Sequence, residues 1–140
     1  MALTFRLRKH ADYQRVYKAS RKQFARQMSY FFTLRTVEAD EPATPRIGLT
    51  VGKVMGKAVD RNRIKRRMRE AVRRNVATLT LPVDVVLHPK RSVIDLDFTA
   101  LDREIAQIFK TIQKAAEESA HKQQEKQLAA AASESSATTQ

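Results

Sequence analysis

The sequence predicts an α+β fold. Three segments place apolar residues at helical spacing, and the short segments between them are rich in β-branched and aromatic residues, which is typical of strands. The chain has 140 residues, of which 42% are hydrophobic. That is enough for one domain of roughly 110 residues with a modest core. We assign the domain to residues 1–114 and a C-terminal extension, rich in Ala, Gln and Ser, to residues 115–140.

The first helix is predicted at His10–Ala19, because Tyr13, Val16 and Tyr17 fall on one side of it at helical spacing. Aromatic residues four positions apart on a helix commonly pack in a core. Two interpretations of the two tyrosines therefore stay open, one as core residues and one as part of a binding surface.

Two strands are predicted next, at residues 27–35 and 46–51, on either side of an acidic, proline-containing loop at residues 38–45. The chain's three glycines are Gly48, Gly52 and Gly56. Their position before the next helix predicts a backbone that turns sharply or approaches another group closely. Their spacing fits neither a phosphate-binding loop nor a dinucleotide fingerprint, so no mononucleotide site is predicted.

The second helix carries the densest charge in the chain. Residues 53–74 contain ten Lys or Arg and two acids, about two thirds of the net charge of +12. Its apolar stripe comprises Ile64, Met68, Ala71, Val72, Val76 and Leu79, and its other side carries Arg63, Arg66, Arg67, Arg69, Arg73 and Arg74. A solvated surface helix usually interleaves Glu with Lys, so the shortage of acids indicates contact with a polyanion.

A third strand is predicted at residues 83–87, and its β-branched residues favour a central position in the sheet. The final helix begins near Asp97 or Thr99, either of which can cap it. Its apolar stripe comprises Leu101, Ile105, Ile108, Phe109 and Ile112. From Ala115 the sequence keeps weak helical character, and from Ser133 it predicts a disordered tail.

Composition excludes several classes of function. The chain has no cysteine, which rules out disulfides, zinc–thiolate sites and thiol catalysis and suits a cytoplasmic protein. Its three histidines are scattered, so neither a metal site nor a catalytic constellation for a protein nuclease is predicted. The apolar runs fall far below the ~20 residues that a membrane span needs, and no membrane partner is predicted.

The chain resembles the protein subunit of bacterial ribonuclease P over residues 3–113. The resemblance is strongest at Lys53, Gly56, Ala58, Val59, Arg61-Asn62-Arg63, Lys65-Arg66 and Arg69, which are similar to the signature of that family with its Arg-Asn-Arg centre. Residues 12–17 in the first helix and residues 46–49 before the glycine segment support it. His88 departs from the family pattern, in which a small residue is common near this strand end.

This resemblance implies an α/β sandwich in αβββαβα order, with three helices and a mixed sheet of about four strands. The fold is ribosomal-protein-S5-domain-2-like and has a left-handed βαβ crossover. The resemblance also implies that the protein is the non-catalytic subunit of a tRNA 5′-maturation endonuclease. The partners are then the catalytic RNA, which binds most of the Mg²⁺, and precursor tRNA, whose single-stranded 5′ leader the protein holds. No obligate protein partner is expected.

The charge of the basic helix and the resemblance together indicate roles for individual residues. Contact with RNA is expected at Lys53, Lys57, Arg61, Asn62, Arg63, Lys65, Arg66, Arg67 and Arg69. Tyr13, Tyr17 and Phe32 are expected to line the leader-binding cleft, and a strand register shifted by one residue would exchange Phe32 for Phe31. No metal-binding residue is expected in the protein.

Two alternatives belong to other functional classes. A ribosomal or general RNA-binding protein without a role in tRNA processing fits the charge and size of the chain equally well. DNA binding would place the basic helix in a major groove, but no helix-turn-helix pattern precedes it.

Overall fold

The computed structural model describes the backbone of residues 6–137 and the side chains of residues 6–132. Over this range the chain forms three helices and four strands: α1 (His10–Ala19), β1 (Gln23–Phe24), β2 (Met28–Leu34), β3 (Arg46–Leu49), α2 (Ala58–Asn75), β4 (Val83–Pro89) and α3 (Phe98–Ala137). Short 3₁₀ turns lie at Lys53–Met55, Val76–Thr78 and Arg91–Ile94. The α+β class and the αβββαβα order are thereby confirmed.

The four strands form one mixed sheet in the order β1-β2-β4-β3. The β1–β2 and β2–β4 pairs are antiparallel, whereas β3 and β4 are parallel and are connected through α2. The predicted central position of β4 is confirmed, because it pairs with a strand on each side. The left-handed sense of the β3–α2–β4 connection stays a prediction. Before α1, Arg6 forms a parallel bridge with Ile47 on the outer edge of β3.

The two faces of the sheet bury different sets of residues because side chains alternate along each strand. On one face, Met28 and Tyr30 of β2 join the main core with α2 and α3. On the other face, Val86 of β4 forms a smaller cluster with Val16 of α1 and Leu7 of the N-terminal segment. Helix α1 therefore covers one face of the sheet, and the other two helices cover the opposite face.

Helix α2 buries most of the stripe that the sequence predicts. Ile64, Met68, Ala71 and Val72 are buried against the sheet and α3. The helix ends at Asn75, whose side-chain amide donates to the Ala71 carbonyl and to the Asp102 carboxylate of α3, both at 2.8 Å. These hydrogen bonds attach the C-terminal end of α2 to the start of α3.

Helix α3 is much longer than its packed part. Buried side chains continue along it as far as Ala116, after which the described side chains lie at the surface. Its backbone stays helical to Ala137, so residues 133–137 are helical where the sequence predicted disorder from Ser133. Residues 122–132 are all strong helix formers (Ala, Leu, Gln, Glu and Lys), and extending such a helix into the serine-rich residues 133–137 is easier than nucleating a new one. The last residues of the expected tail, 138–140, lie outside the described residues.

A buried ion network joins β3, β4 and the residue that follows β2 to α1. The fully buried Asp84 of β4 accepts hydrogen bonds from Arg35, at 3.2 Å, and from Arg46 of β3, at 2.8 and 2.7 Å. Arg46 also lies 3.4 Å from Asp12 of α1. Its hydrogen bonds to Asp84 raise the pKa of Arg46. The network therefore holds α1 and the edge strand β3 against the centre of the sheet.

Candidate nucleic-acid interface

A groove of about 640 Å³ runs along the outer edge of β3. One wall is the N-terminal segment, which is held to the strand by a hydrogen bond of 2.9 Å from the Leu7 amide to the Ile47 carbonyl. The opposite wall is one side of α2. The cations that line the groove are Arg6, Arg8, Lys65, Arg66, Arg69 and Arg73. Together they make this edge of the sheet strongly electropositive.

Glu70 is the one acid among the described residues that line this groove. Its carboxylate accepts hydrogen bonds from Arg73, at 3.1 and 2.5 Å, and from Arg74, at 3.3 Å. The hydrogen bonds from Arg73 have the largest part in lowering the pKa of Glu70. Since this carboxylate is already paired with two arginines, Lys65, Arg66 and Arg69 keep their charge available to an anionic ligand.

Tyr13 forms part of the groove wall and lies directly on β3. Its hydroxyl donates to the Leu7 carbonyl at 3.3 Å, and partial burial raises its pKa. A Cβ atom at Gly48 would lie 2.5 Å from this hydroxyl oxygen, so the ring can occupy its position only because Gly48 has no side chain. The glycine thus brings an aromatic ring next to the cations of α2, which explains one of the close approaches expected from the sequence.

The cations of α2 are divided between two sides of the helix. Arg67 donates to the Leu96 carbonyl, and its guanidinium lies 5.9 Å from the centre of the Phe98 ring. Arg74 lies over the same ring at 5.0 Å. Arg67 therefore stabilises the contact between α2 and the start of α3, which favours a structural role over the expected contact with RNA.

The remaining expected RNA-binding residues lie near the start of α2. Lys53, Lys57, Asn62 and Arg63 are exposed, in the 3₁₀ turn and the first turns of the helix. Arg61 is half-buried, and its Nε has no hydrogen-bond partner among the described residues. The structure therefore separates an exposed group around Asn62 from the groove residues farther along the helix.

A second group of residues, which we call the aromatic strip, comprises Tyr17, Phe31 and His88 on the α1 face of the sheet. The Tyr17 ring packs edge-on against Phe31, with ring centres 4.9 Å apart, and the Phe31 and His88 rings lie 5.4 Å apart. The Tyr17 hydroxyl lies 3.0 Å from His88 Nε2 and 3.4 Å from the Thr50 hydroxyl. Burial lowers the pKa of His88, and the charge of Lys22 lowers it further. These three side chains are only partly buried, so their edges are accessible to a ligand.

The expected place of Phe32 beside the tyrosines is wrong. Phe32 lies on the opposite face of the sheet, where it stacks on Tyr30 with ring centres 6.2 Å apart and packs against the main core. Phe31 is the aromatic residue that joins Tyr13 and Tyr17. A register shift of one residue along a strand moves each side chain to the other face. It therefore exchanges Phe32 for Phe31, the alternative that the sequence analysis allowed.

Sequence reasoning also missed His88 as a partner of Tyr17, although its departure from the family pattern was a signal.

No group of three His, Asp or Glu side chains that could hold a metal ion occurs among residues 6–132. In the described part of the chain, no helix combines the length and the apolar character that crossing a bilayer requires.

Comparison with known proteins agrees with this architecture. The family model of ribonuclease P matches residues 1–113. The ribonuclease P protein component of Finegoldia magna is 36% identical over 102 residues, which cover 73% of this chain and 85% of that protein. The corresponding protein of Bacillus velezensis is 33% identical over 105 residues, which cover 75% of this chain and 86% of its own length.

Solved structures give the same result. The ribonuclease P protein of Staphylococcus aureus superposes with a TM-score of 0.64 at 26% identity, covering 79% of this chain and 96% of that one. The Thermotoga maritima protein, solved in complex with 1-(4-fluorophenyl)-2-thiourea, superposes with a TM-score of 0.63 at 25% identity, covering 75% and 97%. These matches set aside the alternative of an RNA-binding protein without a role in tRNA processing. The chain belongs to the bacterial ribonuclease P protein family, and is the protein component of a ribonucleoprotein endonuclease that processes tRNA.

Proposed function

We propose that the protein binds the catalytic RNA of ribonuclease P through α2 and holds the 5′ leader of precursor tRNA on the α1 face of the sheet. The observation that carries this proposal is the position of Tyr13. Its ring lines the groove that contains Lys65, Arg66 and Arg69, and it also packs in the cluster that contains Tyr17 and Phe31. Cations and aromatic rings therefore form one continuous surface around the β3 edge.

The two parts of this surface suit different parts of an RNA. Arginine offers forked donors that match phosphate oxygens, and lysine adds a point charge, so the groove side of α2 is suited to a folded RNA backbone. Asn62, which is exposed about one helical turn before these cations, can both donate and accept hydrogen bonds and could contact a ribose hydroxyl. The aromatic strip is suited to single-stranded nucleotides, because any base can stack on an aromatic ring.

In this proposal the catalytic RNA cleaves precursor tRNA with Mg²⁺ that it binds itself, and the protein positions the substrate. The lining of the groove supports the positioning role, because it places cations beside an aromatic ring, which suits contact with RNA. Both proposed partners are RNAs that act where tRNA is made, so we place the protein in the cytoplasm. No obligate protein partner is part of the proposal.

The proposal is tested by removing three groove cations together, as Lys65→Ala, Arg66→Ala and Arg69→Ala. If each contacts a phosphate of the catalytic RNA, the slope of log affinity against log salt concentration should become shallower by about 2 to 3, at ~0.7–0.9 per contact. The measurement is an equilibrium titration of the catalytic RNA at several salt concentrations. An unchanged slope would contradict the assignment of α2 to RNA binding.

The matched control removes the same amount of charge from α3. Lys110, Lys114 and Lys122 are exposed there, and their triple alanine variant should keep the salt dependence of the wild-type protein. Precursor and mature tRNA are then compared as ligands of the reconstituted holoenzyme. A protein-dependent preference for the precursor is expected, and its absence would contradict leader binding even if the catalytic RNA is bound tightly.

A further inference from the structure

An exposed aromatic residue lies at the edge of the sheet opposite the basic groove. Phe24 of the edge strand β1 is 76% exposed, and the Lys22 ammonium lies over its ring at 5.6 Å from the centre. Single exposed apolar residues are ordinary on protein surfaces and need no explanation by themselves. The residues around Phe24, in contrast, indicate a role in binding.

The strand register places Phe24 on the same face of the sheet as the aromatic strip. Phe24 pairs with Ser29 of β2, and Ser29 pairs with His88 of β4. Directly paired residues of antiparallel strands project from the same face. Phe24 therefore continues the row that begins at His88, two strands away. With strands ~4.8 Å apart, the two residues are separated by roughly 10 Å.

The segment around Phe24 is basic. Residues 20–27 contain Arg21, Lys22 and Arg26 and no acid. Among the side chains of residues 6–132, no carboxylate lies within ion-pair distance of these three cations. Lys22 is also close enough to His88 to help lower the pKa of that histidine, after the larger effect of burial. An ammonium group thus lies near both the aromatic strip and Phe24.

We propose that Phe24 and Lys22 form a subsite for a distal nucleotide of the 5′ leader, whose base stacks on Phe24 and whose phosphate contacts Lys22. This inference rests on the proposed function. A leader that enters from the β3 edge, where α2 binds the catalytic RNA, and crosses the aromatic strip reaches β1 last. The nucleotide at Phe24 is then the one farthest from the cleavage site. A separation of ~10 Å corresponds to roughly three stacked nucleotides at ~3.4 Å each, or to fewer in an extended strand.

Phe24 also borders a second groove, of about 680 Å³, between β1 and α3. That groove is lined by Ala25, Tyr30 and Ile108, which belong to the main-core side of the sheet, and by Arg103 of α3. A ligand bound there would depend on Arg103 rather than on Lys22. The two locations can therefore be separated by mutation.

The test measures the affinity of the reconstituted holoenzyme for precursor tRNAs whose leaders are shortened one nucleotide at a time. For the wild-type protein, affinity should rise in two steps as the leader lengthens. The first step should occur when the leader reaches the aromatic strip, and the second when it reaches Phe24. Phe24→Ala should abolish the second step, with a loss of about 5- to 100-fold for long leaders and none for short ones. Phe24→Trp should retain the step, and Lys22→Gln should make its salt dependence shallower by ~0.7.

The control is Leu128→Ala, since Leu128 is similarly exposed, at 64%, but lies on the distant part of α3. It should leave the affinity unchanged for every leader. An equal loss for short and long leaders in Phe24→Ala, or a loss caused by Arg103→Ala and not by Lys22→Gln, would overturn the subsite. If the affinity of the wild-type protein did not change with leader length at all, the proposed function on which this inference rests would be overturned.

Discussion

Gly48 shows how one missing side chain positions the binding surface. The Tyr13 ring lies so close to β3 that a Cβ at this position would be 2.5 to 2.7 Å from its atoms. The obstructing atoms belong to a ring held between Leu7 and the strand, so the ring cannot move away freely. The residue that allows the approach is therefore as important for the groove as the residues that line it.

Gly48→Ala should destabilise the protein by about 1–3 kcal/mol, which is typical of overpacking in a well-filled site. Urea denaturation followed by circular dichroism measures the effect. Gly52→Ala is the matched control, because nothing lies within 4 Å of a Cβ atom there. The control should be neutral or stabilising by up to about 1 kcal/mol, since alanine restricts the unfolded chain. Equal stability of the two variants would show that Tyr13 is not held as described.

Helix α2 combines two tasks on adjacent sides. Arg66 is exposed and faces the groove, whereas Arg67, the next residue, packs on Phe98 and donates to the Leu96 carbonyl. Successive residues of a helix point about 100° apart, so neighbouring arginines in one basic run can have unrelated roles. The density of charge in a sequence therefore overestimates the number of residues that contact a ligand.

Arg67→Ala should lower the free energy of unfolding by about 1–2 kcal/mol, through loss of the carbonyl hydrogen bond and the contact with Phe98. Its salt slope for binding the catalytic RNA should remain that of the wild-type protein. Arg66→Ala should leave the free energy of unfolding unchanged and make the salt slope for binding the catalytic RNA shallower by ~0.7–0.9. Denaturant titration and RNA titration of the same two variants supply both readouts. A shallower slope in Arg67→Ala at unchanged stability would return Arg67 to the RNA-binding residues.

The sequence predicted the order of the elements better than it predicted the composition of the site. Helical periodicity identified the buried residues of α2, such as Ile64 and Met68, because a stripe repeats over several turns. The face on which Phe32 lies depends on the register of a single strand, and aromatic residues follow one another from Tyr30 to Phe32 without a polar residue to mark the alternation. The strand β1 has only two residues, which is too short for a periodic pattern. The position of Phe24 in the sheet therefore could not be predicted from the sequence.

Burial along α3 divides the chain into a packed domain and an exposed extension. Ala116 is the final buried residue among those described on α3, and the side chains of residues 121–132 are all exposed. Removing residues 122–140 should therefore change the free energy of unfolding by less than about 0.5 kcal/mol, as for surface changes in general. Thermal or urea denaturation of the truncated protein measures this, and binding of the catalytic RNA should be equally unaffected.

The matched truncation after Thr111 also removes Ile112 and Ala116, both buried in the main core. Deleting one large buried aliphatic side chain commonly costs 2–5 kcal/mol, so this variant should lose at least about that much stability. The contrast between the two truncations distinguishes a packed helix from its solvent-exposed continuation. If the shorter deletion were also destabilising, the helix beyond Ala116 would contribute to the fold through contacts other than burial. The domain would then extend past residue 114.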